Sequence, residues 1–396
     1  MANQIKIRHT LLNGTFNLCD TDGTLKLFSE PSETGQKGLV YEGNNEIMKP
    51  FPKVENMDLE NLKKNYPDLS GAKIWDHHEG CLLRVYWSSQ GWRLSTQKKI
   101  DAFRSRWGSR HSFGESWVKA LPNQDQAQPH SFFTTLDKKC QYLFLLSNNK
   151  DNRIVCNVPR EPTVKHVGTW VNGTLRHDID VGIDRPCQYE YTKHEELASH
   201  FDRMDWKQVT GCLICLRSLS TGGTSSAGGK WVRVVHPEYA RWALVRNNEP
   251  SLPFRYLQVR LDGEMTTMLY ELFPQYAEKF DLYEDTIYDI ACYLHSCYMS
   301  RYVHKQFVTV DREFFPILRM CHKWHTEDRE HNKVTLDKVI EMINSRYDHV
   351  LNKMIRTFIR NKKEPTPGGA FGEPFNLRSP LPSSKNATPP ALRCVG

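Results

Sequence analysis

A chain of 396 residues exceeds what one compact core usually organises, so two domains are expected, and neither needs disulfides or a structural metal to fold. Hydrophobic residues make up 39%, charged residues 25% and aromatic residues 11%, a composition that excludes a disordered, fibrous or membrane-embedded chain. The net charge of +7 suits an anionic partner without requiring one.

No charged-then-apolar leader opens the sequence and no run of about 18 apolar residues follows, which predicts an intracellular protein, cytoplasmic or nuclear, with no membrane partner. The eleven cysteines lack framework spacing and read as thiols in a reducing compartment.

Residues 1–262 show short apolar runs broken by Gly, Asn, Asp and Pro, the pattern of strands and turns. "KGLVYEGNNEIMKPFPKVENMDLENL" (37–62) predicts strand, turn and strand, then the run Pro50-Phe51-Pro52-Lys53. "AKIWDHHEGCLLRVYW" (72–87) predicts a strand, a turn and a second strand, and that second strand pairs with "WRLST" across "SSQG" as a hairpin. "IDAFRSRWG" suggests a short helix, whereas "QYLFLLS" and "GCLICLRS" are near-continuous apolar runs of buried strands. "STGGTSSAGG" (220–229) lacks the Gly-Lys-Ser/Thr ending of a phosphate loop and reads as a hairpin connection.

From Gly263 the texture becomes helical. Val339, Ile343, Tyr347, Val350, Met354 and Phe358 advance by three or four and predict one apolar stripe. Asp311 or Thr309 is the expected N-cap of the helix holding "REFFPILRMCHKW", and Thr335 that of the last helix. Residues 263–361 are therefore expected to form a helical C-terminal domain, and the Pro/Gly/Ser-rich stretch 362–396 a disordered tail.

Charge concentrates in "KKIDAFRSRWGSRH", where Lys98, Lys99, Arg104 and Arg106 sit among Phe103 and Trp107, the mixture of cations and flat rings found on RNA-binding surfaces. A second basic group, Lys353, Arg356, Arg360, Lys362 and Lys363, lies on the last helix. Cys292, His295 and Cys297, with Cys321, His322 and His325, invite a zinc reading, but their spacing is that of amphipathic helices and no metal is assigned to them.

The segment 37–62 resembles the N-terminal signature of ATP-dependent RNA ligases of the phage RNA-ligase-1 type. Lys37 stands at that family's arginine, Gly38 is kept, and Asn56 closes the Pro-Phe-x-Lys-Phe-x-Asn-like run. "HHEGCLL" resembles the nucleophile motif Lys-x-Asp-Gly with His77 at the lysine position and the acid and glycine kept as Glu79 and Gly80. "YLFLLSNNKDNRIV" keeps Asn152-Arg153 but offers Leu146 for a glutamate, Thr210-Gly211 offers Thr for another, and "WVRVVHPEY" places Arg233 and Val235 at two phosphate-facing lysines.

The resemblance spans about residues 37–239 and implies an α+β nucleotidyltransferase fold of antiparallel sheets with flanking helices. It also implies ATP or another nucleotide as ligand, with Mg2+, and RNA as partner. With the nucleophilic lysine and both motif carboxylates replaced, the resemblance implies a scaffold that binds nucleotide or RNA ends without transferring them. In it Glu79 would meet a ribose or base edge and Arg233 a phosphate, while Gly80 sets the backbone and Arg84 and Lys99 face the same cleft. His77 as a replacement nucleophile is the first alternative. An interaction protein with an empty cleft, using the helical domain as its interface, is the second. Departures this systematic suggest a divergent ligase-like protein of a large DNA virus.

Overall fold

The computed structural model describes residues 8–11, 14–30, 37–122, 129–147, 153–157, 161–216 and 229–363. Asn152, residues 220–228 of the expected hairpin connection and residues 364–396 of the expected tail lie outside them, while Lys362 and Lys363, expected in that tail, end the helix Asp348–Lys363. The chain divides into two compact units, 1–276 and 277–396. The helix Gly263–Leu272 thus belongs to the first, and the boundary falls fourteen residues later than the change of sequence texture.

The first unit is α+β, with three five-stranded sheets. The N-terminal sheet is a meander of β1 (Arg8–Leu11), β2 (Gly14–Asp22), β3 (Leu25–Ser29), β4 (Lys37–Glu42) and β5 (Asn45–Met48), each antiparallel to the next. The alternation in "LKLF" and "LVYE" puts Leu25, Leu27, Val40 and Met48 on one face, fully buried.

The next strands in sequence are β6 (Val54–Met57), β7 (Lys73–His77), β8 (Cys81–Ser88) and β9 (Gly91–Thr96). After them come β10 (Gln141–Ser147), β11 (Thr163–Val171), β12 (Thr174–Arg176), β13 (Gln188–Tyr189), β14 (Gly211–Leu216) and β15 (Lys230–Val235). The central sheet has the order β12-β11-β10-β8-β9, all antiparallel. One face carries Leu83, Val85, Phe144 and Leu146 into a core with Trp117 and Phe132. Trp117 comes from the helix Phe113–Ala120, which a Ser112–Glu115 capping box starts: the Glu115 amide donates to Ser112 Oγ at 3.1 Å and the Ser112 amide to Glu115 Oε2 at 2.6 Å. Part of the opposite face, with Tyr86 and Leu143, packs under the N-terminal meander.

The third sheet runs β13-β7-β14-β15-β6 and is antiparallel except for the β15–β6 pair. Its outer face buries Ile74, Ile214, Val232 and Val234 against Leu62 of the helix Leu59–Asn65 and Leu197 and Phe201 of the helix His194–Arg203. "IDAFRSRWG" yields only a 3-10 turn, Ala102–Arg104, opened by Asp101 accepting from the Phe103 amide at 2.8 Å.

Every described element of the second unit is helical. Thr335 caps the helix Leu336–Asn344 by accepting from the Lys338 amide at 3.3 Å. The expected single stripe is instead two helices, Leu336–Asn344 and Asp348–Lys363, with Tyr347 at the break and largely exposed. Val339, Ile343, Met354 and Phe358 are buried, so the apolar positions are shared between both helices. Asp311 does not cap the helix Phe315–Glu327, which starts later; its carboxylate accepts from Asn361 instead. His322 stacks on Tyr302 with ring centroids 4.0 Å apart, and His325 Nδ1 donates to the Asn332 carbonyl at 2.6 Å. No helix among the described residues is long and apolar enough to cross a membrane.

Candidate functional site

Between the central and third sheets the first unit forms a half-open cavity of about 1040 Å³. One cross-strand row forms much of its wall: Gln188 on β13, Trp75 on β7, Leu213 on β14, Arg233 on β15 and Asn56 on β6 are successive partners, and all five line the cavity. Because side chains alternate along a strand, the same face of β7 carries His77 two residues on. Arg233 Nε donates to Asn56 Oδ1 at 2.8 Å, which fixes the guanidinium over the row. Phe51 of the Pro-Phe-Pro-Lys run meets Trp231 edge-on at 5.2 Å, and Trp75 stacks on Trp231 at 5.4 Å. Lys53 follows into the lining.

His77 ends β7, and its carbonyl accepts from the Thr210 amide at 2.8 Å and hydroxyl at 2.9 Å. The same hydroxyl oxygen meets His77 Nδ1. Burial, with Arg233 and His78 adding to it, pushes the His77 pKa down to about 3, so the imidazole is neutral at physiological pH.

Two acidic residues border the cavity, and both carboxylates are held by protein donors, that of Asp76 on the outer face of β7, away from Trp75 and His77. Glu79 accepts from the amides of Ile154 at 2.9 Å, Val155 at 2.6 Å and Cys156 at 3.0 Å, and the Tyr239 hydroxyl also bonds to it. Asp76 accepts from the Tyr189 hydroxyl at 3.3 Å and faces His200 at 3.8 Å, an imidazole whose pKa burial lowers. The cations are otherwise disposed. Lys37, Lys53, Lys98, Arg106 and Arg233 line the cavity without an ion pair among the described residues, and Arg185 lies 4.0 Å from Asp180.

The sequence-predicted residues therefore separate. His77, Glu79, Gly80, Arg233, Lys98 and Arg106 come together at the cavity. Gly80 packs so close that a Cβ there would stand 2.6 Å from the Leu146 carbonyl oxygen, which is reason enough for glycine. Arg84 lies elsewhere. Two residues along β8 from Leu82, it is fully buried under the meander, donating to the carbonyls of Gly38 and Thr96. Lys99 pairs with Asp20 at 3.2 Å and Arg104 with Asp101 at 3.5 Å, and neither lines the cavity. Leu146 is in the central core.

Sequence reasoning missed Arg185, His166 and His177, which come from β11 and the segment after β12 and carry no motif. Trp75 was legible: it shares a β7 face with His77.

An implied divalent ion can be tested against this donor set. Such ions need hard oxygen ligands free to turn toward them. Glu79 and Asp76 are engaged as described, the two positions where the resemblance places acids hold Leu146 and Thr210, and no group of three or more His, Cys, Asp or Glu among the described residues is arranged to hold a metal. The described residues do not fit a protein-held divalent ion.

No protein-family model matches the chain. Among curated proteins it is similar to the immediate-early protein ICP-46 homolog of Invertebrate iridescent virus 3, 29% identical over 214 residues that cover 53% of this chain and 45% of that protein. It thus spans less than half of that relative. The homolog of Invertebrate iridescent virus 6 is 25% identical over 417 residues, covering 99% of this chain and 88% of that one. Immediate-early protein ICP-46 of Frog virus 3 (isolate Goorha) is 22% identical over 289 residues, covering 67% and 69%. Among solved structures, an archaeal ATP-dependent RNA ligase (form 2) aligns with a TM-score of 0.40 at 11% identity over 90% of this chain and 84% of that one. A putative ATP-dependent DNA ligase from Aquifex aeolicus aligns with a TM-score of 0.37 at 8% identity over 67% and 68%.

Proposed function

We propose that this chain is a viral nucleotidyltransferase-fold protein that binds nucleotide or RNA ends in the cavity between its central and third sheets without covalent transfer. One observation carries the reading: six cationic side chains line a cavity whose bordering carboxylates are occupied by protein donors, Glu79 by three amides and Asp76 on the outer face of β7. Such a field favours phosphates, and Phe51 and Trp107, both half-buried in the same lining, offer aromatic surface to a base. The order of ligase-like segments from residue 37 to 239 points the same way. The iridovirus relatives are named immediate-early proteins, which suits an intracellular factor acting at the start of infection.

A second reading has one observation behind it. His77 is a neutral imidazole at the family's nucleophile position, so its Nε2 could attack the α-phosphorus of ATP, expel pyrophosphate and form a phosphoramidate. Incubation with α-labelled ATP or GTP and Mg2+ or Mn2+, followed by a denaturing gel, separates the two. The binding reading expects no covalent band and reversible quenching of tryptophan fluorescence by nucleotide. A band that vanishes in His77→Ala would replace it with the enzyme reading, and absence of both band and binding would leave a protein-interaction role.

A further inference from the structure

Resting on the binding reading above, we infer that the cavity takes a nucleoside polyphosphate, free or as an RNA 5′ end, in its metal-free form. The cationic side chains of the site take the place of the divalent ion.

Charge is the first argument. Six cations line the cavity, and against them stand Glu79 and the Asp180 beside Arg185, because Asp76 turns its carboxylate to the outer face of β7; a formal excess of four positive charges remains. A nucleoside triphosphate at neutral pH carries about four negative charges, and complexation with Mg2+ removes two of them. The unchelated ligand is therefore the one whose charge the cavity balances. A divalent ion brought in with the phosphates would be repelled by Arg233, Lys98 and Arg106, and the carboxylates that border the cavity are already held by protein donors.

Donor geometry is the second. A bound metal needs oxygen ligands, and the lining carboxylate nearest the His77 turn has both oxygens committed: Glu79 Oε1 accepts from the amides of Val155 at 2.6 Å and Cys156 at 3.0 Å, and Oε2 from Ile154 at 2.9 Å. Turning it toward a metal would strand three amides. The cations are free of such commitments. Arg233 spends its Nε on Asn56 at 2.8 Å, which orients the guanidinium, and no ion pair among the described residues occupies Lys37, Lys53 or Lys98. His77, His166 and His177, kept neutral by burial, add hydrogen-bonding capacity without competing for the phosphates.

The experiment is titration of the full chain with ATP, and separately with a short 5′-triphosphate RNA, in EDTA and in MgCl2 at matched ionic strength, followed by tryptophan fluorescence or calorimetry. Binding in EDTA at least as tight as in MgCl2 supports the inference. Binding that is weaker in EDTA overturns it while leaving the binding reading intact, and no binding under either condition overturns both. Which of ATP and the RNA binds more tightly decides the source of the polyphosphate. Arg233→Gln and Lys98→Gln, each checked for a native circular dichroism spectrum, should weaken the EDTA-condition affinity by roughly tenfold, the size expected for a lost charged contact. Wild-type affinity in both variants would place the ligand elsewhere and overturn the assignment to this cavity.

Discussion

Thr210 closes around His77 from two sides. Its amide and hydroxyl both donate to the His77 carbonyl, and the same hydroxyl oxygen meets His77 Nδ1. A hydroxyl has one proton to give. With that proton on the carbonyl, the oxygen accepts from Nδ1–H, and the imidazole is held as the Nδ1–H tautomer with its lone pair on Nε2. Imidazole nitrogen shifts should show this tautomer and no titration of His77 between pH 5 and 8. Thr210→Val should lower stability by about 2 kcal/mol, the cost of losing both hydrogen bonds of that hydroxyl. A His77 that titrates near pH 6.5 would show that the burial of this ring is not what sets its charge.

Glu79 behaves as a fold-determining carboxylate. Its three amide donors come from consecutive residues, Ile154, Val155 and Cys156, so one side chain shapes the segment that follows β10. Glu79→Gln keeps the shape but replaces one acceptor oxygen with a donor that faces N–H groups. A loss of about 2 kcal/mol in chemical denaturation is expected, given the strength of hydrogen bonds to a charged acceptor. Preference among ATP, GTP, CTP and UTP should not change. A changed base preference with full stability would restore a direct contact between Glu79 and ligand.

Much of this architecture was readable from the sequence, and the failures have physical causes. Strand-and-turn patterning identified β7, β8 and β9, and near-continuous apolar runs identified β10 and β14, because these strands pack one face, or both, on a core. Thr335 was legible as a cap because its bond is local. Arg84 was misread toward the cleft because alternation gives the face of a strand and not what covers it. Leu82 and Arg84 share a face of β8, yet Leu82, half-buried against the meander core, still reaches the cavity, whereas Arg84 is fully buried beneath the meander. Arg185 and His177 reach the cavity from a segment with little regular structure, and nothing in local sequence predicts such long-range placement. Lys99 and Arg104 look like free cations in sequence, and only the fold brings Asp20 to Lys99.

Gly38 adopts φ +99°, and a Cβ there would collide with the Arg84 guanidinium that its own carbonyl accepts from. Both the positive φ and the contact select glycine. Gly38→Ala should cost about 2 kcal/mol or more, combining backbone strain with displacement of a buried, hydrogen-bonded cation. Its thermal unfolding midpoint should fall by several degrees, and a midpoint equal to wild type would mean that the meander is free to shift away from Arg84.

Three cavity histidines predict acid sensitivity. Burial pushes His77 down to about 3 and both His166 and His177 down to about 4, against 6.5 for an ordinary histidine. The unfolded chain therefore binds more protons than the folded one between these values and 6.5. Stability from each ring is fully present above about pH 6.5 and is lost as pH falls toward the folded value. For His166, which is 1% exposed, the loss at pH 5 is about 2 kcal/mol. Denaturant midpoints should drop steadily from pH 7 to pH 5, and His166→Gln should flatten that slope. A slope unchanged in the variant would mean that His166 titrates normally.

The basic segment 98–106 is divided by its partners, and RNA binding should follow that division. Lys98 and Arg106 line the cavity, whereas Lys99 is paired with Asp20 and Arg104 with Asp101. A paired lysine must give up its partner before it gains a phosphate, so its net contribution is smaller. Lys98→Gln with Arg106→Gln should weaken single-stranded RNA binding across all sequences and reduce the slope of log affinity against log salt by about 1.4, roughly 0.7 for each lost phosphate contact. Lys99→Gln with Arg104→Gln should change that slope by less than half as much. Anisotropy titrations over a salt series read both quantities. Equal losses in the two pairs would extend the RNA path along the whole segment and away from the cavity. An unchanged slope in the first pair would remove the cavity rim from that path, because its cations would then release no counterions on binding.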